Sequence, residues 1–319
     1  INAIIAAAKQ EQCDAIHPGY GFLSERPDFA QACAEAGITF IGPMADQLAL
    51  FGDKGSALVL ARECGVPVMP ATHGGATLEE VEQFFDEQGG VGIVIKAVGG
   101  GGGRGMRVVK SKAEIPELYA RCRSEAKSAF GVDALYAERL VNRARHIEVQ
   151  IVGDGLHVVA LGERDCTLQR RFQKVVEIAP SPVLDDHLRT QIIAAAKKLA
   201  SKVNYRSLGT FEFLVEEDED GKQIDFVFIE ANPRLQVEHT ITEQVFGIDL
   251  VALQIGIAQG KTLEALGLNP ENPPQAKGYS IQVRVSAESM DINGLARPAY
   301  GCVQRFDPPT GPDVRVDTH

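Results

Sequence analysis

Positive charge is what this sequence has least to spare. Its 319 residues carry 32 Lys and Arg against 43 Asp and Glu, a net charge of −11. A nucleic acid or an anionic membrane would need a basic surface, so neither is expected as a partner. Any phosphate site must be a local cluster of cations inside an acidic shell. The six cysteines (Cys13, Cys33, Cys64, Cys122, Cys166 and Cys302) show no Cys-x-x-Cys and no His at metal-ligand spacing. That excludes a zinc or disulfide framework and leaves buried free thiols in a reducing compartment as the expectation. No segment reads as a signal peptide, and no apolar run approaches the roughly 18 residues of a membrane span. Repeats are absent too, and the acidic run Glu216–Asp220 reads as a solvated hairpin loop. The first residue is Ile and Asn2–Lys9 already reads as a helix, as expected of a piece of a longer chain.

What is present is ordinary for a globular enzyme: 45% hydrophobic and 24% charged residues. Residues 1–65 alternate helix and strand. Strands fall at Asp14–Ile16 and Thr39–Ile41, helices run to about Gln10 and near Phe29–Ala36, and a last helix runs from the Gly42-Pro43 break to Cys64, capped by Gly65. This is the rhythm of the end of a parallel, doubly wound unit. Residues 66–140 read as a small α+β unit. Capping boxes at Thr77-Leu-Glu-Glu80 and Ser111-Lys-Ala-Glu114 open its helices, and its strands are Ile93–Ala97, Met106–Val109 and Leu135–Glu138. Residues 141–270 are strand-rich, interrupted by one helix whose Leu188, Ile192, Ala195, Leu199 and Val203 share a face. A Pro/Asn-rich linker, Pro270–Gln275, lies at the start of residues 271–319, the beginning of a further β unit.

Five consecutive glycines, Gly99 to Gly103, precede Arg104-Gly105. Glycine is needed where backbone N–H groups approach phosphate oxygens with no Cβ in the way, although a flexible surface hairpin would also tolerate such a run. The Gly100, Gly102, Gly105 spacing imitates a dinucleotide fingerprint, but a strand rather than a helix follows it, and a Walker A loop would need Gly-Lys-Ser/Thr. A glycine flap between antiparallel strands remains, with Lys96 at the end of the first strand, able to reach a triphosphate. We read ATP as its ligand.

Two further strands, 211–215 and 224–230, flank the turn signal Asp220-Gly221. A three-residue loop would put Glu212 and Glu230 on one face, whereas a two-residue loop would put them on opposite faces with one Glu in solvent. Carboxylates facing each other inside a Phe-rich hairpin repel, and a Mg²⁺ between them removes the conflict. If the following Asn232 to His239 segment is extended, Asn232, Arg234, Gln236 and Glu238 share one side, with Leu235 and Val237 on the other. Asn232 could join the metal, Arg234 offers a fork for bicarbonate or a carboxylate-like intermediate, and Glu238 could serve as a general base.

These residues resemble one family. His17-Pro-Gly-Tyr-Gly-Phe-Leu-Ser-Glu25, Lys96-Ala-Val with the glycine run and Arg-Gly-Met, Gly162-Glu-Arg-Asp-Cys166, Gln169-Arg-Arg-Phe-Gln-Lys-Val-Val-Glu177 and Glu230 to Glu238 are similar to the signatures of biotin carboxylases. The resemblance covers essentially the whole chain, and the tail from Arg284 looks most like acyl-CoA carboxylases. It implies an ATP-grasp fold, of mixed α/β and α+β class, flanked by a partial N-terminal doubly wound unit and a partial C-terminal β-rich unit. Lys54, Lys96, Gly102, Gly103, Glu138, Arg139, Leu140, Val141, His146 and Gln169 match nucleotide contacts. Glu212, Glu230 and Asn232 match ligands of Mg²⁺ (or Mn²⁺). Lys174, Arg234, Gln236, Val237 and Glu238 match the bicarbonate site, and Arg284 the biotin site. Phe172 stands where the family often has a His beside the nucleotide.

The implied reaction is ligation. Glu238 deprotonates bicarbonate, which attacks the γ-phosphate of ATP to give carboxyphosphate. This breaks down to CO₂ and phosphate, the phosphate takes the N1′ proton of biotin, and the enolate, stabilised by Arg284, attacks CO₂. The implied partners are a biotin carboxyl carrier, a carboxyltransferase and a second copy of the chain, and the implied location is the cytoplasm, or the mitochondrial matrix in a eukaryote. No Met-Lys-Met biotin-attachment motif is present, so carrier and carboxyltransferase lie elsewhere. Other ATP-grasp ligases would share the flap and carboxylate pair but not the Arg234 to Glu238 cluster together with Arg284. A non-catalytic nucleotide-binding module would be expected to have lost its metal ligands.

Overall fold

A computed structural model describes residues 1–98, 105–170, 173–292 and 296–318. The glycine run, with Gly102 and Gly103, and Phe172 lie outside the described residues. The N-terminal segment folds as α1 (Asn2–Gln10), β1 (Ala15–Ile16), α2 (Pro27–Glu35), β2 (Thr39–Phe40), α3 (Ala45–Gly52) and α4 (Lys54–Glu63). β1 and β2 pair in parallel. The single helix expected up to Cys64 is two, because Asp53 is extended and its carboxylate accepts from Ser56 N at 2.8 Å. The aspartate satisfies a free N–H of a new helix instead of continuing the old one.

A three-stranded antiparallel sheet follows, built from β3 (Ile93–Ala97), β4 (Met106–Val109) and β5 (Leu135–Arg139) in the order β4-β3-β5. The helices α5 (Leu78–Glu87) and α6 (Ile115–Phe130) pack on it through Val81, Phe84, Phe85, Ile115 and Cys122. Both capping boxes form: Thr77 with Glu80 opens α5, and Ser111 with Glu114 opens a 3-10 turn leading into α6.

The largest element is a six-stranded antiparallel sheet. Its strands are β6 (Ala144–Asp154), β7 (Val158–Arg170), β8 (Gln173–Ala179), β9 (Arg206–Glu217), β10 (Gln223–Asn232) and β11 (Ser280–Val283), ordered β10-β9-β6-β7-β8-β11. One face carries Ile147, Val149, Phe211, Phe213, Phe226 and Phe228, packed on α7 (Asp186–Lys202) through Leu188, Ile192 and Leu199. That is the stripe expected from the sequence. Behind the other face lie α8 (His239–Phe246) and α9 (Leu250–Ala258), where Leu250, Leu253 and Ile257 meet Val152, Val159 and Leu208.

Periodicity had not revealed α8 and α9. The α9 segment, Leu-Val-Ala-Leu-Gln-Ile-Gly-Ile-Ala, is apolar nearly all round and so has no amphipathic signature. Among the described residues no single helix is long and apolar enough to cross a membrane. The α8–α9 pair passes that test only jointly and bends by 96° at its break. The acidic run is not all loop. Glu216 and Glu217 end β9, with Glu216 buried against Arg139 and Glu217 bonded to Arg145. Four cysteines are buried free thiols, whereas Cys13 and Cys302 are exposed. The compact unit extends through β11 to Val283, and a second, Arg284–His319, holds the antiparallel pair β12 (Glu288–Met290) and β13 (Ala296–Pro298).

Leu199 is fully buried between α7 and the sheet. Leu199→Ala should lower unfolding stability by about 2–5 kcal/mol through lost burial and a residual cavity. Chemical denaturation followed by circular dichroism measures this, and a loss under about 1 kcal/mol would mean the α7 contact is loosely packed.

Candidate functional site

One-residue register shifts place Glu230 and Arg164. Phe226, Phe228 and Glu230 alternate, so an unbroken strand would point all three to the same face. Instead Phe226 pairs with Val215 and Phe228 with Phe213, and after one extra residue, Ile229, Glu230 pairs with Glu212. The bulge keeps the phenylalanines in the core and turns Glu230 to the opposite face. The same device operates on β7. Between Ala160, opposite Ile151, and Glu163, opposite Val149, one residue is added at Gly162, whose φ is +63°. A side chain there would also meet Phe246 at 3.0 Å. Past the bulge, Arg164 sits directly opposite Glu148.

The polar face therefore gathers charge from several elements. His146, Glu148 and Gln150 alternate along β6, Glu212 and Thr210 along β9, and Lys174 reaches in from β8. Lys174 Nζ donates to Glu212 Oε1 at 3.0 Å, to Glu238 Oε1 at 2.7 Å and to Glu148. Arg164 is wholly buried beneath them. Its Nε bonds Glu148 at 2.5 Å, Nη1 bonds Gln150 at 2.8 Å and Thr242 at 2.9 Å, and Nη2 bonds Thr210 at 3.2 Å and Gln236 at 3.1 Å. A buried guanidinium is tolerable because each nitrogen has an acceptor.

These neighbours set the protonation states. Burial pushes Glu212 up, but His146 and Lys174 outweigh it and hold its carboxyl well below the usual range. Burial depresses Lys174, yet Glu148, Glu212 and Glu238 keep it firmly protonated. His146, with Nε2 2.8 Å from Glu212 Oε2, is likewise held above its ordinary value against the effect of burial. Glu230 goes the other way: burial, then the charge of Glu212, raise it. Its carboxylate has no hydrogen bond or ion pair among the described residues, while Asn232 donates to Glu212 at 2.8 Å. Two hard carboxylates with an amide oxygen beside them fit Mg²⁺ or Mn²⁺.

The Asn232 to Glu238 segment is not the extended run expected. β10 ends at Asn232, a bend follows, and Glu238 is the N-cap of α8. The polar residues nevertheless converge, with Gln236 donating to Glu212 at 3.2 Å, while Val237 is exposed. Of the residues matched to nucleotide contacts, Lys54 is the exposed first residue of α4, and its charge partly offsets the rise at Glu230. Lys96 pairs with Glu138 across β3 and β5. Arg139 is bonded to Glu216, and Leu140 and Val141 are half-buried just past β5. Gln169 is exposed and donates to Cys166 O at 2.9 Å. Arg284 directly follows β11 and opens the second unit rather than lying in a strand. Glu148 and Arg164 were missed. The His146, Glu148, Gln150 alternation could have pointed to the first, but only the bulge at Gly162 brings Arg164 to this face.

Glu230→Gln removes a like-charge pair, so the cation-free protein should gain up to about 1 kcal/mol in stability. Its affinity for Mg²⁺ in the presence of ATP should fall at least about tenfold, since a neutral amide replaces a hard anionic ligand. Thermal unfolding with and without the cation, alongside metal titration, tests both. A destabilised cation-free variant would contradict the repulsion argument.

Known proteins resemble this chain over nearly its whole length. Residues 53–266 match the family described as carbamoyl-phosphate synthase L chain, ATP binding domain, and residues 1–48 match the biotin carboxylase N-terminal domain. Pyruvate carboxylase of Bacillus subtilis is 50% identical over 100% of this chain and 27% of its own. The chain thus spans about a quarter of the length of such curated relatives. The biotin carboxylase of Campylobacter jejuni, solved as a beta-gamma-ATP complex, superposes with a TM-score of 0.85 at 42% identity, covering 97% of this chain and 67% of that one. The biotin carboxylase domain dimer of Hydrogenobacter thermophilus 2-oxoglutarate carboxylase, with ADP, Mg-ADP and bicarbonate, gives 0.84 at 40% identity over 97% and 66%. On this fold and at this identity, the chain belongs to the biotin carboxylase family.

Proposed function

We propose that this chain carries out the ATP- and bicarbonate-dependent carboxylation of biotin presented on a carrier, the first half-reaction of a biotin-dependent carboxylase. The observation that carries the reading is the meeting of Lys174, Glu238, Gln236 and Glu212 on one polar face, next to the Glu212–Glu230 pair. A divalent cation held by Glu212, Glu230 and Asn232 supplies charge neutralisation for the triphosphate. Lys54, Lys96 and His146 add cationic or polar contacts to the nucleotide, with Glu138 orienting Lys96, while Arg139 to Val141 and Gln169 line it. Arg234, with Gln236 and the backbone at Val237, orients bicarbonate, and Lys174 offsets its charge. Glu238, fixed at the start of α8, accepts the bicarbonate proton as that anion attacks the γ-phosphate. Arg284 binds the ureido oxygen of biotin. Residues 1–65, 66–140, 141–270 and 271–319 then correspond to the end of the N-terminal domain, the lid, the metal and bicarbonate subdomain, and the start of the C-terminal domain.

A carrier bearing the biotin and a carboxyltransferase complete the reaction, and a homodimer is the assembly suggested by the dimeric relative. A pyruvate acceptor is favoured over the acyl-CoA acceptor that the tail suggested, because pyruvate carboxylase is 50% identical across the whole chain. The location proposed is the cytoplasm, or the mitochondrial matrix, given that the human relative is named as mitochondrial.

In the full-length protein, ADP release should depend on bicarbonate and rise with free biotin. Bicarbonate-independent release, or none with intact ATP binding, would favour another ATP-grasp ligase or a nucleotide-binding module. Glu238→Gln should slow ADP release by on the order of 10² to 10⁴ while Mg-ATP still binds, the loss typical of a general base. Arg284→Ala should leave ATP affinity intact and cut carboxybiotin formation by on the order of 10² to 10³. Lys at that position should recover only part of it, since a point charge cannot replace the guanidinium fork. Equal losses of ATP affinity and carboxylation would make Arg284 structural.

A further inference from the structure

The geometry points to Glu25 as a latch on Arg234: a carboxylate that occupies the anion fork until bicarbonate displaces it. The inference rests on the reading of Arg234 as the bicarbonate arginine and adds a positioning residue from the N-terminal segment. All three nitrogens of Arg234 already have acceptors. Nε donates to Glu25 Oε1 at 2.7 Å, Nη1 to Leu235 O at 3.2 Å, and Nη2 to Asn232 Oδ1 at 3.2 Å. Three of its five N–H donors are engaged, and the side-on fork that pairs Nε–H with an Nη N–H is open to a planar oxyanion only when Glu25 leaves Nε.

Glu25 is the one built to leave. Leu235 O belongs to the backbone, and Asn232 is tied to Glu212 at 2.8 Å. The Glu25 side chain is 41% exposed, against 22% for Arg234, and can turn into water at little cost. It also presents the chemistry of the incoming anion, a planar carboxylate in place of a planar bicarbonate.

The backbone carrying Glu25 is nevertheless held in place. Ser24 N bonds Gly21 O and Arg26 N bonds Leu23 O, and Arg26 caps α2. Upstream, His17 Nε2 lies 3.0 Å from Gln254 of α9, and Gly19 N donates to His17 Nδ1. The anchored loop brings the carboxylate back to Arg234 when the site empties. An empty site thus keeps Arg234 in its working position, and bound bicarbonate is spared a neighbouring carboxylate.

The test is Glu25→Gln in the full-length protein, by steady-state ADP release against bicarbonate. Removing a part-exposed competing ion pair should lower the KM for bicarbonate about two- to fivefold, an effect larger than any change in kcat. Nitrate, an inert planar oxyanion, should bind more tightly by a similar factor in calorimetry. An unchanged or raised KM, or unchanged nitrate affinity, overturns the latch. If the wild type shows no bicarbonate dependence, the proposed function fails instead, and nitrate affinity still decides whether Glu25 competes for Arg234.

Discussion

A single ammonium group surrounded by three carboxylates organises this protein. Lys174 Nζ lies within bonding reach of Glu148, Glu212 and Glu238, carried by three different elements, and each carboxylate is almost fully buried. Burying such charges is expensive, and the arrangement persists because every member has a partner. Removing the lysine would leave uncompensated anions, at a cost of about 3–5 kcal/mol for a broken buried pair. Arg164 extends the network inward and ties β6, β9 and α8 to the same centre. Fold and candidate chemistry share these bonds.

The sheet separates its two tasks by face. Phenylalanines and aliphatic side chains on one face supply hydrophobic stabilisation against α7. The other face, at the β6, β8, β9 and β10 end, carries polar groups that bond to one another. Glu230 shows the tension: half-buried opposite another carboxylate, it has no hydrogen bond or ion pair among the described residues. A carboxylate pair placed this way carries a stability deficit that a divalent cation would relieve.

Much of this was legible in the residues. Helix starts at Thr77 and Ser111 followed from capping chemistry, the α7 stripe from its period, and the parallel strand pair from the βα rhythm. These are local signals, written within a few residues of where they act. The helix α9 was not legible, because burial on nearly all sides removes the polar face that periodicity detects. The acidic run misled for the opposite reason: Arg139 and Arg145, more than 70 residues away, supply partners that make a buried glutamate tolerable.

The candidate site divides along the same line. By itself, the sequence determined which groups could do the chemistry: the Glu212 and Glu230 carboxylates, the Asn232 to Glu238 polar run and the lysines. It also pointed to a family through motifs spread across the chain. Tertiary structure alone decided which face each group occupies. Simple alternation sends Glu230 in with Phe226 and Phe228, and Arg164 to the face of Ala160. One inserted residue at Ile229 and one at Gly162 reverse both assignments. A strand's side chains have a period of two, so a one-residue bulge inverts everything beyond it. Both bulges fall in hairpins of consecutive strands, β9–β10 and β6–β7, where the alternation of residue types does not record the extra residue.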